Sequence, residues 1–561
     1  MAGGPSGTAE GISTASLAWT IIMASFAAFG GILFGYDTGT IGGVIAMQDW
    51  LQTFGSYSPS LNYYLATNNK SLVVSILSAG TFFGALLSFP LGDLVGRKWG
   101  LISSCIIFCL GVGLQLDTRW VTFVVGRVVA GLGVGAVSCL VPMYQSECAP
   151  KKIRGLIVGL YQLAITFGAL FAAIVLNATK NQLSHSAWRT PIAVQFVWAF
   201  VLGGGMALLP ESPRYLLYKD RVPAARKALS RLLSRPEDSP EVDAEVVEIT
   251  LASLAITCNS ALSHNILFQA LEAERALGSN SYIDCFRNTP NRNGLRTWTG
   301  ILLQAWQQLT GINFIFYYGT TFFKSAGISN PFIITIITDV VNTCMTIVGI
   351  QLIDRVGRRR LLLIGAAGMM FCEYIVAIVG VTVGSHNNNT ADANINLPAQ
   401  RVLIAFVCFY IAFFATSWGP VAWVVTGELF PLAIRAKGMS LSVASNWLWN
   451  FGIGYATPYL VDPSTPGPTG IKAANLGVKV FFIWGSTCLG CFLFAFFFIP
   501  ETKGLSLEQI DLLYRESTIL GSNKYRQQML AENETFAHHD VSHIVADNKA
   551  HAMEYEEKSA V

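Results

Sequence analysis

Twelve stretches of this chain are apolar over the length of a membrane crossing, and no other feature restricts its fold so strongly. They lie near 17 to 45, 72 to 92, 99 to 116, 121 to 145, 154 to 177 and 190 to 209, then near 297 to 323, 332 to 353, 361 to 384, 401 to 428, 436 to 460 and 475 to 499. A helix needs ~20 apolar residues to cross the hydrocarbon core, where the backbone must satisfy its own hydrogen bonds. A soluble fold has no means of hiding this much apolar surface. Of 561 residues, 52% are hydrophobic and 13% charged, against about 25% charged in an ordinary soluble domain. The expected fold class is therefore an all-α membrane protein with twelve transmembrane helices in two six-helix halves.

Charge sets the expected orientation. The short loops that hold Arg97 and Lys98, Lys151, Lys152 and Arg154, Arg355 with Arg358 to Arg360, and Arg435 with Lys437 are basic, which marks them as cytoplasmic. The even number of spans then puts both termini in the cytoplasm. The expected segments are a cytoplasmic N-terminus 1 to 16, a first half 17 to 209, a cytoplasmic helical linker 210 to 296, a second half 297 to 499 and a cytoplasmic tail 500 to 561. The linker reads as amphipathic helices, as at 222 to 233 and 245 to 277, and the tail from 518 reads as disordered. The triplets Asn177-Ala178-Thr179 and Asn388-Asn389-Thr390 have the form of glycosylation acceptors on the opposite face. The first run is too long, and its start too poor in basic residues, for a cleaved signal.

Several function classes drop out. A net charge of +3 and pI near 8.2, with the basic residues scattered between spans, give no stripe for DNA or RNA. The cysteines in the spans, such as Cys105, Cys109, Cys344, Cys488 and Cys491, lack metal-ligand spacing and read as packing residues. All seven His lie outside the spans, and no nucleophile motif points to an enzyme. Gly131-x-Gly133-x-Gly135 sits in an apolar run with no strand before it, so it reads as a surface for close helix packing rather than a phosphate loop. No cofactor is expected.

The chain repeats itself. Asp93-x-x-Gly96-Arg97-Lys98 follows the second run, and Asp354-x-x-Gly357-Arg358-Arg359 follows the eighth. Glu147 precedes Arg154 by seven residues after the fourth run, as Glu428 precedes Arg435 after the tenth. Pro210-Glu211-Ser212 ends the sixth run and Pro500-Glu501-Thr502 the twelfth. Matched landmarks in the same order imply two halves of like topology, the pattern of transporters that rock around a central site. Carboxylate and Arg pairs at these helix ends (Asp93, Arg97, Glu147, Arg154, Asp354, Arg358, Glu428, Arg435) are candidates for an inner gate that links the halves, because a partly buried charge is far cheaper paired than alone.

These landmarks, with Gly92, Gly126-Arg127, Pro142-x-Tyr144, Ala149-Pro150, Gly155, Pro213-Arg214 and Lys503-Gly504, resemble the sugar porter family of the major facilitator superfamily, and within it fungal hexose transporters. The likeness runs from about 25 to 512. It implies one monosaccharide site at mid-membrane, lined by amides that both donate and accept and by an aromatic ring for stacking. Gln307-Gln308-Leu309-Thr310-Gly311-Ile312-Asn313 resembles the family's sugar-binding segment. On an ideal helix Gln304, Gln307, Gln308 and Gly311 share one face, and a break near Gly311 would bring Asn313 to them. The resemblance also nominates Gln162, Tyr318, Asn342, Trp423, Asn446 and Asn450, with a bend expected at Gly419-Pro420.

Asp37 and Arg127 are ionisable residues within spans, a functional signal by default. Resemblance to sugar and proton symporters implies that Asp37 takes the proton and Arg127 holds the site ready. Proton-coupled hexose symport at the plasma membrane is the leading expectation. A passive facilitator, in which Asp37 and Arg127 form a static pair, and a glucose sensor are the alternatives. One stretch near 254 to 270 interrupts the family pattern and is too short and polar to span. A retained intron and a genuine loop both account for it, and transcript sequencing separates them.

Overall fold

The computed structural model describes residues 25–59, 62–148, 154–182, 184–239, 282–287, 291–325, 331–382, 397–431, 434–461, 474–505 and 507–531, together with Ile22, Met23, Val242, Asp243 and Val246. The interrupting stretch near 254 to 270, almost all of 245 to 277 and the triplet at 388 to 390 lie outside them.

Each apolar run is helical over its described residues. The first half comprises Phe29–Val44, Thr67–Leu94, Arg97–Gln115, Trp120–Cys148, Arg154–Thr179 and Ser186–Leu208. In the second half the seventh run is broken into Asn293–Leu309 and Ile312–Ser325, and the tenth into Leu397–Thr416 and Trp418–Leu429. The eighth, ninth, eleventh and twelfth are Pro331–Val356, Arg358–Thr382, Arg435–Val461 and Val480–Phe498. Among the described residues, nine helices are long and apolar enough to cross a bilayer. The other three runs fall short for visible reasons. The described helix of the first is 16 residues, the seventh is broken, and the eleventh carries Ser440, Ser442, Ser445, Asn446 and Asn450, all buried.

Large apolar side chains remain bare on the outside, among them Leu87, Leu110, Phe200, Ile364 and Phe371. Water-soluble monomers rarely leave apolar surface of this extent, whereas lipid is its natural neighbour. Inside, close approach replaces large side chains. A Cβ on Gly131 or Gly135 would lie 2.4 Å from the Leu77 carbonyl oxygen or 2.1 Å from that of Thr81, so this Gly run seats the fourth span directly on the backbone of the second.

The spans connect through short elements. A helix Gln48–Phe54 buries Trp50, and the strands Ser56–Ser58 and Asn62–Tyr64 pair antiparallel with Ser56 opposite Tyr64. After the sixth span, Pro213–Tyr218 and Val222–Leu233 are helical, the second with Ala225, Ala228, Leu229 and Leu232 buried. Beyond the twelfth, Leu507–Glu516 docks on the foot of the seventh span: Arg296 pairs with Asp511, donates to the Ile510 carbonyl at 3.1 Å and lies 4.4 Å over the Tyr514 ring.

Two expectations need correction here. The tail is not disordered from 518, since 522–531 is helical. The Ser522 hydroxyl accepts from the Glu501 amide at 3.2 Å and Arg526 donates to the Lys503 carbonyl at 2.9 Å, which ties this helix to the bundle. Thr179 of the first glycosylation triplet closes the fifth span, and its hydroxyl is buried and donates to the Val175 carbonyl at 3.1 Å.

Candidate binding site in the central cavity

The seventh span breaks because Gly311 takes φ +84°, a conformation that L residues adopt only at a cost of roughly 1–2 kcal/mol. A Cβ there would also strike Trp484 at 2.5 Å. Neighbours satisfy the carbonyls freed at the break: Thr487 donates to Leu309, and Tyr410 donates to Thr310 at 2.8 Å. The break turns Asn313 back, and its Nδ2 donates to Gln308 Oε1.

The tenth span breaks at Ser417, which adopts φ −132° and ψ −88°. This is two residues before the expected Gly419-Pro420 bend. It leaves Trp423 on a separate short helix, edge-on to Tyr161 with ring centroids 5.3 Å apart.

These breaks stand beside a cavity whose lining comes from the first, fifth, seventh, eighth, tenth and eleventh spans, and so from both halves. Of the nine nominated residues, Gln162, Gln307, Gln308, Asn313, Asn342, Trp423, Asn446 and Asn450 line it. Tyr318 does not: its hydroxyl turns away and donates to the Gly454 carbonyl at 2.7 Å. Tyr317 takes the place on the wall, with its hydroxyl donating to Asn450 Oδ1 at 2.9 Å. Phe34, Thr38 and Asp339 also line the cavity and were not anticipated. The acid in the otherwise apolar eighth run was the available signal for Asp339.

The amides form one network. Asn446 Nδ2 donates to Gln304 Oε1 and Gln307 Oε1, both at 2.7 Å, and its Oδ1 accepts from Gln308 Nε2 at 3.0 Å. Gln307 Nε2 donates to the carbonyls of Trp418 and Gly419 at 3.0 and 3.1 Å. Ser78 of the second span donates to Asn450 Oδ1 at 2.7 Å. Both halves therefore meet on one polar wall.

Asp37 and Arg127 pair at 3.3 Å, both fully withdrawn from solvent. Among the described residues, Asp37 Oδ2 and Arg127 Nε and Nη2 have no hydrogen-bond partner. Thr38 and Gly39, the next residues, are on the cavity wall.

At the basic end the repeat becomes geometry. Arg97 meets Glu147 at 3.2 Å and Asp93 at 3.6 Å, and Arg358 meets Glu428 at 2.8 Å and Asp354 at 2.9 Å. These pairs fall inside each half rather than between the halves. The second oxygen of Glu147 accepts from Ser212 and that of Glu428 from Thr502. Glu211 accepts from the amides of Arg97 and Lys98, and Glu501 from that of Arg358, so each carboxylate caps a helix start. Gly96 and Gly357, at φ +100° and +102°, make room for them. Burial raises the Glu211 carboxyl above the ordinary range. Arg435 is buried and its Nε donates to the Phe430 carbonyl at 3.2 Å, while Arg154 opens the fifth span with a side chain outside the described residues. A Cβ on Gly155 would lie 3.0 Å from both Asp354 Oδ1 and Arg358 Nη2, which brings the fifth span against the second half's motif.

Twelve spans in two like halves around one amide-lined cavity define a multi-pass membrane transporter. Residues 23–514 match the "Sugar (and other) transporter" family model. The chain is 47% identical over 549 residues to the major facilitator-type transporter ecdD of Aspergillus rugulosus, covering 97% of this chain and 96% of that protein. It is 45% identical over 507 residues to the probable glucose transporter rco-3 of Neurospora crassa, covering 89% and 80%. The proton:xylose symporter XylE, solved with 6-bromo-6-deoxy-D-glucose, superposes with TM-score 0.70 at 27% identity, covering 89% of this chain and all of that one. This chain belongs to the sugar porter family of the major facilitator superfamily, a family of transporters and not of enzymes.

Proposed function

We propose that this protein carries a hexose, with glucose the first candidate, across the plasma membrane by alternating access, coupled to inward movement of a proton. The cavity is the observation that carries the reading: amides from the seventh and eleventh spans and the Trp423 ring present what a polyol with apolar faces needs, without a buried full charge at the network's centre. The named specificity of the rco-3 relative points toward glucose. The inner ends would open and close where the fifth span meets Asp354 and Arg358.

Coupling rests on Asp37 and Arg127. Paired in a dry interior, they are held by each other's charge, and protonating the carboxylate would release the guanidinium and favour a different packing of the first and fourth spans. Each proton would supply about 1.4 kcal/mol per pH unit and about 2.3 kcal/mol per 100 mV of membrane potential. Together these support accumulation of roughly 100-fold or more.

The test is uptake of radiolabelled glucose into transporter-deficient cells, with and without a protonophore, for wild type and Asp37→Asn. Accumulation above the external level that collapses with protonophore and in the variant establishes symport. Equilibration indifferent to protonophore makes the protein a facilitator. No uptake of any hexose despite surface expression overturns the transport reading in favour of a sensor.

A further inference from the structure

The cavity wall holds one carboxylate that the amide network leaves out. Asp339 lies on the eighth span between Thr335, four residues before it, and Asn342, three residues after, and all three line the cavity. That spacing puts them on one helix face. Asp339 is almost wholly withdrawn from solvent, and it makes no hydrogen bond or ion pair with any described residue.

The amides of the seventh and eleventh spans are already engaged. Gln307 and Gln308 each have their Nε2 donating and their Oε1 accepting, and Asn446 does the same with its amide. Asn450 Oδ1 accepts from both Ser78 and Tyr317. On the eighth span, by contrast, Asn342 Oδ1 is buried without a hydrogen-bond partner among the described residues, and the Asp339 carboxyl group lies one turn away along the helix. An arriving sugar is rich in hydroxyl donors. Against those amides it must displace bonds that exist, whereas against Asp339 and Asn342 it meets acceptors with none to lose. A carboxyl group can bond a sugar hydroxyl with or without its proton, since it keeps an acceptor oxygen in either form.

We propose that Asp339 is a substrate-contacting residue whose carboxyl group hydrogen-bonds two neighbouring hydroxyls of the sugar and so sets which hydroxyls the transporter requires. This rests on the reading of the cavity as a sugar site and adds the residue through which that site discriminates. A site built to bind a hydroxyl rejects the analogue that lacks it far more strongly than an apolar pocket rejects a missing methylene. The contact makes Asp339 a specificity determinant rather than a structural acid.

The experiment measures transport KM for glucose and each of its mono-deoxy analogues in wild type, Asp339→Ala and Asp339→Asn, with surface protein quantified by external labelling. In wild type, removal of either hydroxyl read by Asp339 is expected to raise KM about tenfold or more. In Asp339→Ala the same analogues and glucose converge to within about twofold, while the penalties at other positions persist. Asp339→Asn, which keeps one acceptor oxygen, falls between. An Asp339→Ala profile that matches wild type overturns the proposal, as does an unchanged Asp339→Asn profile where the Ala variant fails to reach the surface. A third readout needs no variant: glucose should protect Asp339 of the purified wild type from carbodiimide labelling, read by mass spectrometry, and labelling that glucose leaves unaltered also overturns it. Wild type that reaches the surface and carries no hexose defeats the transport reading itself, whereas wild-type uptake with an unaltered Asp339→Ala profile defeats only the role of Asp339.

Discussion

Asn446 gives two bonds with one amide group and takes one in return, so it holds Gln304, Gln307 and Gln308 in register. Asn446→Ala would strand two buried acceptors, each at roughly 1–3 kcal/mol. The expected outcome is a lower melting midpoint of the detergent-solubilised protein together with a raised KM for sugar; an unchanged midpoint would show that the network relaxes around the loss. The amides were legible in the sequence because a polar residue inside an apolar run is conspicuous and the spacing of Gln304, Gln307 and Gln308 fits one helix face. Tyr318 and Tyr317 were not separable in that way. They follow the Gly311 break, which resets the helix register, so neighbours in sequence exchange the inward direction. The caps were hidden for a different cause: Glu211 and Glu501 act on helices more than a hundred residues away, and no local pattern announces that contact.

Among the elements, the broken seventh span is the most exposed to a single substitution. Gly311→Ala must bear the positive φ and a collision with Trp484. We expect loss of surface protein or of uptake. Adding Trp484→Ala should relieve the collision and recover only part of the loss, because the backbone strain remains; full recovery would mean that the φ value is unimportant. The Glu211 cap makes a prediction with a sign. Its carboxyl is raised by burial, so the folded protein holds that proton more tightly than the unfolded chain. The associated stability is complete below the ordinary Glu value of about 4.3 and is lost as pH rises through the raised folded value. The melting advantage of wild type over Glu211→Gln should therefore shrink across that window and then level off. A difference that is flat with pH, or that grows, would refute the assignment. The break in the tenth span shows why element ends were the less legible part. Gly419-Pro420 marked the right region, but the chain turns at Ser417, where the Ser417 hydroxyl finds the Phe413 carbonyl at 2.6 Å.

At the scale of the molecule, the two halves touch along the second and eleventh spans. Ser440 donates to the Ala85 carbonyl at 2.7 Å near the basic end, and toward the other end a Cβ on Gly454 would lie 3.6 Å from that of Ser75. That separation suits a disulfide, whose Cβ atoms usually stand about 3.5–4.5 Å apart. The double variant Ser75→Cys with Gly454→Cys should lose uptake when oxidised and regain it with reductant. Equal uptake in both states would mean that this end does not part during the cycle. The twofold plan was legible from the paired motifs, since duplication repeats the residues that cap and pair at each helix foot. The assignment of ion pairs was not, because Arg97 and Arg358 reach partners on other helices of their own half rather than across the interface.

A carrier spends half of each cycle empty. In this cavity most of the amides on the seventh and eleventh spans bind one another when no cargo is present, so the return trip leaves few polar groups stranded. The same mutual bonding competes with the cargo on arrival and reclaims its place on departure. What enters must match these bonds one for one, so the placement of its hydroxyls, and not polarity alone, would decide what the cavity accepts.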